Sequence, residues 1–303
     1  MKRAVSVSIG SSKRDKQATF DLLGQTISLE RIGTDGDMKK AAQLYQELDG
    51  QVGALGVGGA VLGLLVDQDW YDLHSVLPLV RGVKITPVVD GTGLKDTLER
   101  QAARVATPLL NGLPKRVFQM SAVDRYGLSR GFVDDGYESI YGDLMFTIGL
   151  PLAIRSDKAL KRIAKLIAPT MARLPFHWLY PTGEKQEVHT PKFKKYFDWA
   201  TVISGDCHYI TKYMPDDLSG KIIVTNTTTS RDREIFKAAG VKYMITTTPV
   251  LDGRSFGTNM MEAAILAALD WKEPVNYGKP GNYFHMMAEI VQKLDLKPVL
   301  QEL

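Results

Sequence analysis

Asp198-Trp199-Ala200-Thr201-Val202-Ile203-Ser204-Gly205-Asp206, followed by Leu218-Ser219-Gly220-Lys221-Ile222-Ile223-Val224-Thr225-Asn226, reads as two short apolar strands that each end in polar residues. Short apolar runs bounded by turn residues suit strands buried on both faces, and an open sheet of such strands presents their carboxyl ends to a ligand. Similar runs at 116–121, 151–155, 175–180 and 242–247 join those at 201–204 and 221–225. Helical stretches separate them. Between Ala159 and Ala172, Leu160, Ile163, Ala164, Ile167 and Met171 fall on one face, and Arg231 to Ala239 is short and amphipathic. Six strands alternating with helices predict a Rossmann-type, doubly wound, mostly parallel sheet over residues 115–303.

The preceding residues predict a smaller α/β domain over 1–110. Residues 4–9 alternate apolar with small polar, and 17–23 and 26–32 form a hairpin across Gly24-Gln25. A helix over Met38 to Leu48 has Asp35 or Asp37 to cap it, and a strand follows at 52–57. A helix near 71–81, a strand at 84–89 and a long helix from Leu94 to Leu110 complete the domain. Asn111-Gly112-Leu113-Pro114 is the expected linker. Gly56-Val57-Gly58-Gly59 lacks the third glycine of a dinucleotide fingerprint and reads as close backbone packing.

Composition bounds the function. A formal charge of +4, from 38 basic and 34 acidic residues, offers no field to steer nucleic acid, so a small-molecule partner is expected. The single cysteine, Cys207, excludes a disulfide framework and fits a reducing compartment. No apolar run reaches the roughly 18 residues needed to span a bilayer, and Met1–Gly10 reads as a strand instead of a signal peptide. A cytoplasmic protein is expected, without membrane or nucleic-acid partners, with a homodimer left open. His74, His177, His189 and His285 show no ligand spacing, so no metal is expected.

Three segments carry a resemblance. Ile154-Arg155-Ser156-Asp157-Lys158-Ala159 is one; the two strands quoted first, with Asp206, His208 and Asn226 near their ends, are another. The third is Thr247-Thr248-Pro249 with Asp252-Gly253-Arg254-Ser255-Phe256-Gly257-Thr258-Asn259-Met260-Met261 and Trp271. Together they resemble the nucleotide domain of the shikimate and quinate dehydrogenases, and the whole chain is similar to bacterial proteins of quinate 5-dehydrogenase type. The resemblance implies an NAD(P)-dependent oxidoreductase that transfers hydride to and from a small hydroxylated acid. It makes Arg155 and Ser156 ligands of a 2′-phosphate, which favours NADP over NAD, and adds Asp206, His208, Asn226, Gly257 and Asn259 as cofactor ligands. Arg155 at a solvated strand end is the competing reading.

The family's glycine-rich phosphate turn is missing. The strand ending at Ser121 runs into Ala122-Val123-Asp124-Arg125-Tyr126-Gly127, so Arg125, with Arg130, would have to replace backbone amides around a pyrophosphate. Lys95, at the start of a helix after the strand Ile85–Val89, is the acid/base that the resemblance implies, with Asp90 as its partner and Asp124 as the other acid able to serve. A simple Lys95–Glu99 pair on an exposed helix is the alternative. Ser11 and Ser12 fall where the family places two substrate serines, though adjacent instead of spaced, with a solvated basic turn as the competing reading, and Arg254 is expected to hold a substrate carboxylate or cofactor phosphate beside the helix opening at Thr258. Two rival functions remain: a non-catalytic ligand-binding protein that has lost its phosphate loop, and a thioester-type enzyme using Cys207 beside His208.

Overall fold

A computed structural model describes residues 1–179, 189–248, 250–251 and 254–303, with the side chains of 179, 250, 251, 254 and 255 left aside. In chain order the first elements are β1 (Lys2–Ser8), β2 (Lys16–Leu22), β3 (Gln25–Gly33), α1 (Met38–Leu48), β4 (Ala54–Gly58), β5 (Gly63–Val66), β6 (Asp69–Asp72), β7 (Val88–Val89) and α2 (Thr92–Thr97). There follow α3 (Ala102–Ala106), β8 (Arg116–Gln119), α4 (Tyr126–Asp134), β9 (Glu138–Tyr141), α5 (Asp143–Thr147), α6 (Asp157–Met171) and α7 (Phe176–Leu179). Then come α8 (Lys194–Trp199), β10 (Val202–Ser204), α9 (Cys207–Tyr213), β11 (Ile222–Thr225), α10 (Ser230–Ala238) and β12 (Tyr243–Thr246). The chain closes with β13 (Val250–Leu251), β14 (Arg254–Ser255), α11 (Thr258–Leu269), α12 (Tyr283–Lys293) and β15 (Val299–Glu302). These make a mixed α/β protein with parallel-rich sheets. No helix among the described residues is long and apolar enough to cross a membrane.

Contacts divide the chain into two units that are discontinuous in sequence. The first holds residues 1–94, 250–294 and, of the described residues, 167–179; the second holds 95–166, 189–248 and 295–303. This differs from the expected division at 111–114. Ala102, Ala103, Ala106 and Leu110 pack with Val117, Leu128 and Phe132, so the helical run before the supposed linker belongs to the second unit's core. α11, expected within the nucleotide domain, instead lies on β1 and β4 of the first unit.

In the first unit the strand order is β2-β3-β1-β4-β7, parallel except for β2 against β3. Leu22 pairs with Gln25, leaving Leu23 and Gly24 as a two-residue turn with φ of 52° and 76°, the primed geometry that matches strand twist. Asp37 caps α1 by accepting from the Lys39 and Lys40 amides. Buried on its inner face, Ala41, Tyr45 and Leu48 meet Val5, Val7, Leu55 and Val57. α11 is buried from Met260 to Ala268, and small residues let it approach: a Cβ on Gly53 would lie 2.9 Å from that of Ala267. Likewise a Cβ on Gly58 would lie 2.7 Å from Ser8 Cβ, so this glycine stretch is close packing. Expected elements shrink where side chains satisfy the backbone: Asp49 accepts from the amides of Lys84, Ile85 and Thr86, leaving only Val88–Val89 as strand. Likewise 71–81 holds the end of β6 and a 3-10 turn over Leu77–Leu79 with Pro78, not a helix.

The second unit has the order β15-β12-β11-β10-β8-β9, with only β15 antiparallel. Its strands are apolar on both faces for a reason. Phe118, Ile203, Ile223 and Met244 pack with Tyr196, Phe197, Ile210 and Phe236, whereas Val117, Val202, Ile222, Val224 and Ile245 pack with Ala102, Leu128 and Phe132. The expected strand at 151–155 is reduced to Ile154 bridging Tyr141, and Phe176–Leu179 is helix α7, with Tyr180 outside the described residues. β9 and β15 complete the six.

Candidate functional site

A polar cluster of the second unit gathers where β8, β9, β10, β11 and β12 end. After β8 the chain turns through Ser121–Arg125 into α4, and Arg125 points into a buried ion network. Its NH1 donates to Glu99 Oε1 at 2.5 Å, and its NH2 lies 3.6 Å from Asp206 Oδ2. Thr247, beyond β12, donates to the same Glu99 oxygen at 3.3 Å. Burial opposes the Arg125 charge, but Glu99, Asp206 and Asp124 outweigh it and hold the guanidinium firmly protonated.

Asp206 and Asn226 form the next layer. Asp206 caps α9 by accepting from the His208 amide, and Asn226 Nδ2 donates to Asp206 Oδ2 at 2.6 Å. Asn226 Oδ1 accepts from the Cys207 amide and the Thr225 hydroxyl. Beside it the hydroxyls of Thr227 and Thr248 meet at 2.8 Å, so the ends of β11 and β12 carry a hydroxyl rim. At the end of β9, Asp143 Oδ1 accepts from the Val123 amide; burial pushes this carboxyl up to about 6. Three atoms of the cluster are buried without a hydrogen-bond partner: Glu99 Oε2, Arg125 Nε and Asp143 Oδ2. Such orphans are rare in folded proteins and leave hydrogen-bonding capacity unused within the cluster.

Lys95 pairs with Asp124, Nζ to Oδ1 at 3.7 Å, and not with Asp90 or Glu99. The Asp124 side chain is 37% exposed and that of Lys95 14%. Although desolvation opposes its ionisation, the Lys95 and Arg125 charges keep the Asp124 carboxyl below its usual range. Asp90 is spent elsewhere: in the first unit its Oδ2 accepts from the Leu62 amide and its Oδ1 from the Thr92 amide. Glu99, expected on an exposed helix, is fully buried on Arg125.

The structure thus brings together Lys95, Arg125, Asp206 and Asn226 and adds Glu99, Asp124, Asp143 and Thr247. His208 is exposed. Arg155 is also exposed, and Ser156 accepts from the Ala159 amide as a cap of α6. With no strand at 151–155, the pair does not end the second strand of the sheet; Gly142 and Asp143 do. In the first unit, Ser11 accepts from the Lys13 amide, and the Ser12 amide donates to Asp35. The Gly257 carbonyl accepts from the Met260 and Met261 amides, and Asn259 donates to Ser6 Oγ at 2.7 Å. Arg254 lies in β14, its side chain outside the described set, as are Asp252 and Gly253. Cys207 is buried, and burial pushes its thiol well above the usual range, the opposite of what thioester chemistry requires.

A dinucleotide does not fit the turn after β8. A phosphate cradle needs glycines whose backbone faces the ligand. Here a Cβ on Gly127 would collide with the Lys95 carbonyl, and one on Gly131 with that of Arg100, so both glycines serve contact between α4 and the 95–100 backbone. The carboxyls of Glu99, Asp124, Asp143 and Asp206 outnumber the cations of Lys95 and Arg125 and would repel a pyrophosphate.

No curated protein matches this chain in sequence. Similar solved structures include a protein from Mycobacterium smegmatis, 14% identical over 97% of this chain and 98% of the other, with a TM-score of 0.32. A second from Mycobacterium smegmatis, in complex with β-D-fucofuranose, is 11% identical over 96% and 98%, with a TM-score of 0.34. The malic enzyme of Entamoeba histolytica is 11% identical over 88% and 68%, with a TM-score of 0.31. Scores this low carry no argument about ligand or activity. Residues 3–90 match the family described as Domain of unknown function (DUF8753). With residues 93–303 matched, the chain belongs to the family described as Domain of unknown function (DUF8754).

Proposed function

We propose that this protein binds a small hydroxylated ligand, without a dinucleotide, at the carboxyl ends of the parallel strands of its second unit. The observation that carries the reading is the Arg125 cluster, where the chain's own carboxylates already neutralise the guanidinium while buried donor and acceptor atoms are left over. Anions are repelled there. Hydroxyl groups, which donate to carboxylates and accept from ammonium and amide groups, suit the Lys95–Asp124 pair, Asn226 and the Thr227–Thr248 rim. Helices on both faces support a doubly wound reading of this sheet, and its order reverses at β8, between β9 and β10, which is where open α/β sheets take their ligands.

One observation favours a second reading. Lys95 beside Asp124 resembles the acid/base pair of an oxidoreductase of quinate or shikimate type, and such a pair can take the proton of a ligand hydroxyl. A binding screen tests the Lys95–Asp124 site that both readings share. A panel of polyols and hydroxy acids is screened by ligand-observed NMR and thermal shift against wild type and Lys95→Met. At least one compound is expected to bind wild type and to lose tenfold or more in affinity in the variant. Binding left intact by Lys95→Met contradicts the proposed site.

A further inference from the structure

Glu262 lies in the apolar helix α11 and is fully buried in the first unit. Tyr277 and Tyr283 each donate a phenolic hydroxyl to its Oε1 at 2.7 Å, and the Leu94 amide donates to its Oε2 at 3.2 Å. Among the described residues it forms no ion pair. The titratable groups facing it are Asp90, Tyr277 and Tyr283. Asp90 repels its charge, and the Asp90 amide donates to Tyr277 Oη at 3.2 Å. Asp90 and Glu262 therefore share the opening turn of α2, one on the Thr92 amide and the other on that of Leu94. A Cβ on Gly93 would lie 2.8 Å from Glu262 Oε1, so the turn is pressed against the carboxyl group.

A buried carboxyl with no cation is held more easily neutral than charged. As an acid it keeps its place among the tyrosines; as an anion it strengthens the three hydrogen bonds it accepts but loses water and meets Asp90. We propose that Glu262 is a pH-sensitive latch, which holds the first turn of α2 and the Tyr277–Tyr283 segment in place when neutral and loosens both when ionised. Burial first, then Asp90, pushes the carboxyl up to about 7 from an ordinary 4.5, against the tyrosine and Leu94 hydrogen bonds. Raised in the closed state, the group stabilises that state fully below pH 4.5 and stops doing so as the pH passes 7. Opening is thus favoured by rising pH and levels off above neutrality.

Hydrogen exchange of the full chain, corrected for intrinsic rates, reads the latch in peptides covering 86–98 and 274–290. The opening constant of wild type is expected to rise on the order of fiftyfold between pH 5 and 8. Glu262→Gln, which keeps the shape but cannot ionise, should flatten that rise. Equal pH dependence in both proteins, or none in wild type, overturns the proposal. Should the glutamine variant fail to fold, Tyr283→Phe decides: by removing one donor to the carboxylate it should move the wild-type midpoint upward, and an unmoved midpoint overturns the latch.

Discussion

Burial opposes the charge of Arg125, and Glu99 is the foremost of the carboxylates that offset it. Breaking a buried pair leaves an uncompensated charge and costs about 3–5 kcal/mol, whereas replacing both partners by apolar residues is often neutral. Glu99→Ala is therefore expected to lose about that much stability in urea unfolding, and Glu99→Leu combined with Arg125→Met to recover most of it. A loss below about 1 kcal/mol for Glu99→Ala would show the pair to be incidental. Asp143 gives a pH signature. Its folded pKa, raised from 3.8 to about 6, stabilises the fold fully below pH 4, and that stability fades as pH rises through 6. The span amounts to about 3 kcal/mol. The stability difference between wild type and Asp143→Asn should change by that order between pH 4 and 7; a pH-independent difference contradicts the assignment.

Residues were legible in the sequence by kind more than by partner. Arg125, Asp206 and Asn226 stood at strand ends, where an open sheet displays its polar groups. Lys95 found Asp124 because the turn after β8 carries that acid, while Asp90 was already engaged by the Leu62 and Thr92 amides. Glu262 left a signal that periodicity passes over: one acid inside Met260-Met261-Glu262-Ala263-Ala264-Ile265-Leu266, an otherwise apolar helix.

At the scale of elements, the apolar parallel strands were the readable part, since burial on both faces forces continuous hydrophobic runs. β9 (Glu-Ser-Ile-Tyr) and β15 (Val-Leu-Gln-Glu), at the two edges of the sheet, are half polar and gave no such run. Conversely, Pro151-Leu152-Ala153-Ile154 is apolar but exposed except near Ile154. Phe118 anchors the sheet, its ring 5.1 Å from Phe197 edge-on and 5.5 Å from Tyr196. Phe118→Ala should cost about 3–5 kcal/mol. Gly127→Ala tests the packing of α4 directly, because the added methyl meets a backbone carbonyl that has no rotamer to change. A destabilisation of at least about 1–3 kcal/mol is expected by chemical denaturation. A neutral Gly127→Ala would reopen that turn to a ligand.

For the molecule as a whole, the discontinuity of the units is what local reading missed, since no propensity reports that α11 returns to β1 and β4. A fragment 1–110 would leave that sheet face bare and carry Ala102, Ala103, Ala106 and Leu110 without their partners. It is expected to lack a cooperative thermal transition, whereas an independently folding 1–110 would contradict the division. On the proposed function, the second unit presents a rim for hydroxyl groups and not a seat for phosphates. Isothermal titration calorimetry of the full chain with NADPH and with NADH tests it most directly. No saturable heat is expected for either up to about 1 mM; a micromolar Kd for one of them, roughly 8 kcal/mol of binding, would overturn the hydroxyl-rim proposal and favour the oxidoreductase reading.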